Sequence, residues 1–397
     1  MDLLKQTLVS HRCALRLNEQ NPDVLFNTSQ VLISLAEHLS EADDTANAVS
    51  ALQEALESLS ACLSRQEMLL EQQQVDFDEL EEGGVSLNID EKSASPSESD
   101  EPEQTATVET PVTAGDLLDT VHASLSALST LVSLTDTSGL QTLGDMAHSL
   151  TETKAPVYVA LLPADAQHAA RFTLTLDRAI FVATLADLQY NAMLIDLNTY
   201  VTRLDTFDGL RKQQDSDSTA LCSEAEARTE LSTTVLSRFE GSSSLPAEIC
   251  WKQLSQAQDL YAKAAKLNSV AQIYLSRGDV EMLRHRIAST PDTQLSGGVR
   301  KSAPTLAQNA QTYYRGATRL AMNDESELKL KAQQRMAFAA GMRSLMYGVE
   351  PEIDVREQFK SKKGSTRAEE ALSDCVGEGL IDVAVANDIA SSFLAAR

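Results

Sequence analysis

AQDLYAKAAKL, residues 257–267, sets Ala257, Tyr261 and Ala264 at helical spacing, and AQTYYRGATRL, residues 310–320, does so again with Ala310, Tyr314 and Ala317. At 3.6 residues per turn each trio lies along one stripe of a helix. Small residues there let a neighbouring helix approach closely, and the large ring fills the space beside it. Two such stripes in one chain predict helices stacked on helices. The rest of the sequence agrees. Helical patterning is expected near 3–18, 23–39, 45–75, 114–135, 138–152, 164–205 with one break, 217–239, 246–267, 268–277, 279–289, 304–322, 325–347, 351–362, 366–376 and 379–395. The closest approach to a β run, YVALLP at 158–163, is too short to build a sheet.

Composition supports the same class. With 397 residues the chain exceeds one ordinary core, so several packing units or a stack of repeats are expected. A hydrophobic content of 43% suffices for a core, and only 16 Gly and 10 Pro interrupt it. Charge is uneven. Lys+Arg 33 against Asp+Glu 58 gives −25, and 13 acidic residues against Lys92 fall between Asp76 and Asp116. That stretch alone carries −12, so the remainder is only mildly acidic. Such a surface repels nucleic acid and anionic lipid and attracts basic protein.

The stretch EEGGVSLNIDEKSASPSESDEPEQTATVETPVT, residues 81–113, has lost periodicity and holds no aromatic residue. Its composition predicts a disordered linker, since it buries too little apolar area to offset chain entropy. Ser95 before Pro96, and Ser97 three before Asp100, resemble kinase sites. The expected organisation is therefore 1–80 helical, 81–113 linker and 114–397 helical.

The N-terminal part carries a second form of the pattern. In VLFNTSQVL, residues 24–32, Leu25, Thr28, Ser29 and Leu32 occupy alternating large and small places on one helix. Upstream in the same register stand Thr7, His11 and Ala14; downstream come Ala55, Leu59 and Cys62. Pro22 suits a first helical position, where a missing N–H costs nothing. These positions resemble the tetratricopeptide-repeat family, a helix–turn–helix unit in which helix A carries a large residue, a Leu, a small residue and a Tyr, and helix B carries the small–aromatic–small set. A fungal family of such repeat proteins is similar too. The resemblance implies an all-α solenoid that binds protein or peptide in a concave groove, broken here by the acidic linker. It also implies that residues 3–18 are a helix B without its helix A, for which an upstream start is the expected explanation. Ala271 and Tyr274, followed by Gly278-Asp279 as an A–B turn, extend the resemblance downstream.

Catalytic patterns are missing. No G-x-S-x-G surrounds a Ser, and Gly297-Gly298-Val299-Arg300-Lys301-Ser302 lacks P-loop spacing. The six His are isolated, and His11 reads as a packed core residue. Cys13, Cys62, Cys222, Cys250 and Cys375 form no metal-spaced cluster and no close pair. The start, MDLLKQTLVS, lacks a signal-peptide pattern, and no run reaches the length of an apolar membrane span. A non-catalytic protein without cofactor or metal is expected, in the cytoplasm and also the nucleus.

Its expected partner is a protein or peptide, with no nucleic acid, membrane or small-molecule substrate. A dedicated acidic chaperone for a basic client such as a ribosomal protein is the alternative. In the resembling family, carboxylate-clamp co-chaperones carry Lys and Asn at two places of helix A; Phe26 and Gln30 stand there instead, and Asn27 matches only an Asn of the second repeat. A clamp is therefore not expected, and the groove candidates are Phe26, Asn27 and Gln30. Lys360, Lys362, Lys363 and Arg367 form a basic loop.

Overall fold

The computed structural model describes residues 2–82, 111–210, 215–239, 245–290, 295–322, 325–353, 355 and 366–394. Among them all regular structure is helical, the YVAL of YVALLP included, and no strand occurs. Two compact units divide at Phe181 and Val182.

The first unit opens with α1 (Asp2–Leu17), α2 (Pro22–Glu41) and α3 (Thr45–Glu82). Asn21 caps α2 by accepting from the Asp23 and Val24 amides at 2.9 and 3.2 Å, two donors that the helix start leaves unpaired. Leu25, Thr28, Ser29 and Leu32 are all buried, as are Ala55, Leu59 and Cys62 on α3. The Cys62 thiol donates to Pro22 O at 3.3 Å, and burial pushes its pKa up to about 11. The α1 side of the pattern is looser. Thr7, His11 and Ala14 are half-buried, so His11 is not the core residue expected.

Helix α3 is 38 residues long against 20 for α2, and α4 (Ala114–Leu134) packs against it as well. The segments on either side of 83–110 thus share one unit; of the expected linker 81–113, Glu81-Glu82 end α3 and Thr113 caps α4, while 83–110 lie outside the described residues. A capping box starts α4: Thr113 Oγ1 accepts from the Asp116 amide and the Asp116 carboxylate accepts from the Thr113 amide. By length and composition α4 could cross a bilayer, a property the sequence reading passed over, but 56% of its apolar window is buried inside the unit. Thr120 also ties it to α3, donating to Gln66 at 2.9 Å.

Next come α5 (Leu140–His148) and α6 (Ala155–Leu161), joined through the π turn Ser149–Lys154. Pro156 brings no N–H to the helix, and a wider turn just before it absorbs the missing bond. The turn also lets Lys154 (2.7 Å) and the Tyr158 hydroxyl converge on the Glu67 carboxylate of α3. Helix α7 (Ala164–Asn191) follows; its Asp177 meets His122 of α4 at 2.5 Å.

In the second unit, α8 (Leu197–Leu204) packs against α9 (Ser218–Arg238). Asp187 accepts from Tyr200 at 3.0 Å and Thr234 at 2.7 Å, and burial raises its pKa. Then α9 packs on α10 (Ala247–Leu267), α10 on α11 (Ala271–Ser289), α11 on α13 (Ala303–Leu320) and α13 on α14 (Ser326–Tyr347), with the short α12 (Gly297–Lys301) between α11 and α13. Gly348, at φ +66, ends α14 in the left-handed conformation that glycine adopts without penalty. Helices α15 (Thr366–Gly377) and α16 (Val383–Ile389) close the unit.

One expectation fails here. Gly278-Asp279 is not a turn; α11 runs unbroken through it. Gly278 lies face to face with the Tyr314 ring of α13, where a Cβ would collide with it. Reciprocally, a Cβ at Gly316 of α13 would stand 2.8 Å from the Tyr274 ring of α11. Two glycines thus allow two tyrosines to bring α11 and α13 together.

Candidate functional site

The predicted groove residues sit on the less buried side of α2. Asn27 is exposed, while Phe26 and Gln30 are half-buried. Spacings of one, three and four residues keep them within about 100° of each other around the helix. Exposed Asp23 and His38 extend the same side. The hydroxyls of Thr28 and Ser29 point the other way and donate to Val24 O and Phe26 O, each at 2.6 Å.

Polar organisation is denser in the second unit. Shifting the buried set of α10 by 53 residues, so that Tyr261 meets Tyr314, turns Cys250, Gln253, Leu254, Ala257, Gln258 and Ala264 into Ala303, Leu306, Ala307, Ala310, Gln311 and Ala317, all buried on α13. The same shift carries Ser218, the first residue of α9, to Ala271, the first residue of α11. It also sets the Glu224–Arg228 ion pair of α9 against Arg277 and Glu281 of α11, the same two charges in the opposite order.

In the first hairpin, Arg228 is 4% exposed. Its Nε and Nη2 donate to Glu224 Oε1 at 2.8 and 2.5 Å, and its Nη1 donates to Gln253 and Gln256 of α10 at 2.6 and 3.2 Å. A hollow of about 230 Å³ opens above it. In the second hairpin Glu281, 2% exposed, accepts from Arg284 at 2.9 Å, and Asn309 of α13, at the shifted place of Gln256, also hydrogen-bonds to it. Burial raises the Glu281 pKa, against the pull of Arg284. Arg277 lies 4.1 Å over the Tyr313 ring and donates to its hydroxyl at 2.9 Å; Arg284 lies 4.5 Å over Trp251.

Behind these hairpins a polar network around the buried Arg335 ties three helices and the turn after α15. Arg335 of α14 pairs with Asp279 of α11 and Glu378 beyond α15. Tyr314 of α13 donates to Asp279 at 2.8 Å, and Lys331 reaches Glu378 at 2.9 Å. Burial raises the Asp279 pKa, against the pull of Arg335.

Nearby, a cavity of about 420 Å³ is lined by His285, Ser289, Met342, Leu380 and Asp382. Tyr347 Oη stands 2.7 Å and Ser289 Oγ 3.3 Å from His285 Nε2. Burial lowers the His285 pKa to about 4, against the pull of Asp382, which makes the imidazole a weak base for Ser289. Among the described residues no group of His, Cys, Asp or Glu is arranged to hold a metal.

Sequence reading missed Arg228, Gln256 and their counterparts. The available signal was the 53-residue shift itself, which pairs AQ-x2-Y-x2-A with its second copy. No protein-family profile matches the chain, and no curated protein is significantly similar to it.

Proposed function

We propose that the chain is a non-catalytic protein-binding scaffold built from divergent tetratricopeptide-like helical hairpins, which takes up an extended peptide or a helix of a partner protein. The observation that carries this reading is the repeated buried register of α10 and α13, each set against the helix before it and the helix after it. Serial packing of that kind leaves one face of each hairpin in solvent, and the polar residues there are available to a partner. Asn27, Gln30 and Phe26 on α2, and the side of α10 that carries Gln256 and Asp259, are the places assigned to contact.

The shift of 53 residues exceeds the family's period of 34. Helices of 21 residues in α9 and α10 account for much of the excess. A cytoplasmic location, with access to the nucleus, accords with the cysteines: all five are free.

Affinity purification of the tagged full-length chain from its own cells, at low and at high salt with mass spectrometry of the eluate, tests the proposal. A stable set of partners retained in both conditions is the expected result. A single basic protein lost at high salt would select the chaperone form of the reading, and loss on deletion of 81–112 would assign that contact to the acidic stretch. An eluate equal to the untagged control would overturn both.

A further inference from the structure

The two hairpins of the second unit differ at one place in a way that names a guest. On α11 and α13, the guanidinium of Arg277 stacks on Tyr313 beside the buried Glu281. A shift back by 53 residues turns Arg277 into Glu224 and Tyr313 into Leu260. The first hairpin therefore has a shorter side chain there, bound to the Arg228 guanidinium, and a smaller wall, and the hollow of about 230 Å³ occupies the space left over. That volume falls below the roughly 300–1,000 Å³ of pockets for drug-sized molecules and suits one long side chain.

The charges around the hollow select the guest's sign. Arg228 already neutralises Glu224, and Lys263 pairs with Asp215 at 2.7 Å. Asp259, exposed at the rim, is bonded by no described residue. One carboxylate is thus left over, next to the amide of Gln256 and the apolar face of Leu260.

We infer that this hollow takes an arginine side chain of a basic partner peptide. The guest guanidinium enters the hollow from its rim, in front of the Arg228–Glu224 pair. It pairs with Asp259, and its methylene stem lies on Leu260. Arginine suits the place better than lysine, because a planar fork can bond a carboxylate and an amide oxygen together while stacking on an apolar wall. The inference rests on the protein-binding reading and gives it a partner chemistry.

The test uses the full-length chain and a tri-arginine peptide carrying a benzophenone. Irradiated mixtures are digested and the adducts located by mass spectrometry. Adducts are expected within residues 253–263. Asp259→Lys should cut their yield about fivefold, the effect of removing and reversing one exposed pair. Glu327→Lys, an equal change of charge at an exposed position of α14, should leave it within about twofold. Both variants are at the surface, and unchanged melting curves confirm that they fold. Adducts spread over other segments, or yields that respond equally to the two substitutions, would overturn the inference. That outcome would leave the scaffold reading standing, since the affinity purification decides it with no reference to Asp259.

Discussion

At the scale of single residues, the same amino acid does different work according to what faces it. Gly278 is needed for close approach, because Tyr314 occupies the space a side chain would take. Gly278→Ala should lower stability by roughly 1–3 kcal/mol, read as a drop in the urea midpoint. Gly297, with open space around it, should accept Ala with a change under about 1 kcal/mol, in either direction. His285 gives a second residue-scale prediction. Its folded pKa, about 4, lies below the usual histidine value. As pH falls from 6.5, the unfolded chain therefore takes up a proton that the folded chain refuses. Stability is full above 6.5 and declines by roughly 3 kcal/mol as pH approaches 4. Subtracting the pH profile of His285→Asn from that of the parent isolates this part from the carboxylates. Profiles that stay parallel between pH 6.5 and 4 would refute it.

Elements are where reading from sequence succeeded and where it stopped. The stripes of α10 and α13 were legible because their register is set by burial: Ala257, Tyr261 and Ala264 are 0, 2 and 0% exposed, and Ala310, Tyr314 and Ala317 are 0, 1 and 0% exposed. Gly278-Asp279 misled because glycine marks both turns and close contacts, and only the partner helix tells them apart. Asp279 also looked like a turn residue, yet it accepts from Tyr314 and pairs with Arg335. The candidate faces were less legible still. Arg228 and Gln256 are polar residues on Ser-, Thr- and Gln-rich helices, and nothing in the period of either helix separates a buried polar side chain from a solvated one.

The Arg335 network yields the prediction at this scale. Arg335→Met strands Asp279 without a cation and leaves Glu378 to Lys331 alone, and should cost about 3–5 kcal/mol in chemical denaturation. Adding Asp279→Asn and Glu378→Gln should recover part of that loss, because the stranded charges are then gone. A triple variant no more stable than the single one would show that Arg335 acts through packing alone.

For the whole molecule, the prominent number is the net charge of −25, of which −12 lies between Asp76 and Asp116. The contacts that hold α3 to α4, among them Thr120 with Gln66 and the Cys62 thiol with Thr120, are made by residues outside 83–110. Replacing those residues by about a dozen Gly and Ser should therefore move the melting temperature by no more than roughly 4 °C, since closure entropy depends weakly on length. A larger fall would mean that the acidic stretch contributes to the core of the first unit.

The spread of thiol burial makes the molecule its own clock. Cys13 is exposed, Cys62 is sealed in the first unit, and Cys250 and Cys375 in the second, where burial pushes both pKa values up to about 12. A sealed thiol can be alkylated only while its surroundings are open. Cys13 should be modified at once. The lag before Cys62 and the lag before Cys250 and Cys375 then time the opening of each unit separately, in one sample and without any label added to the chain.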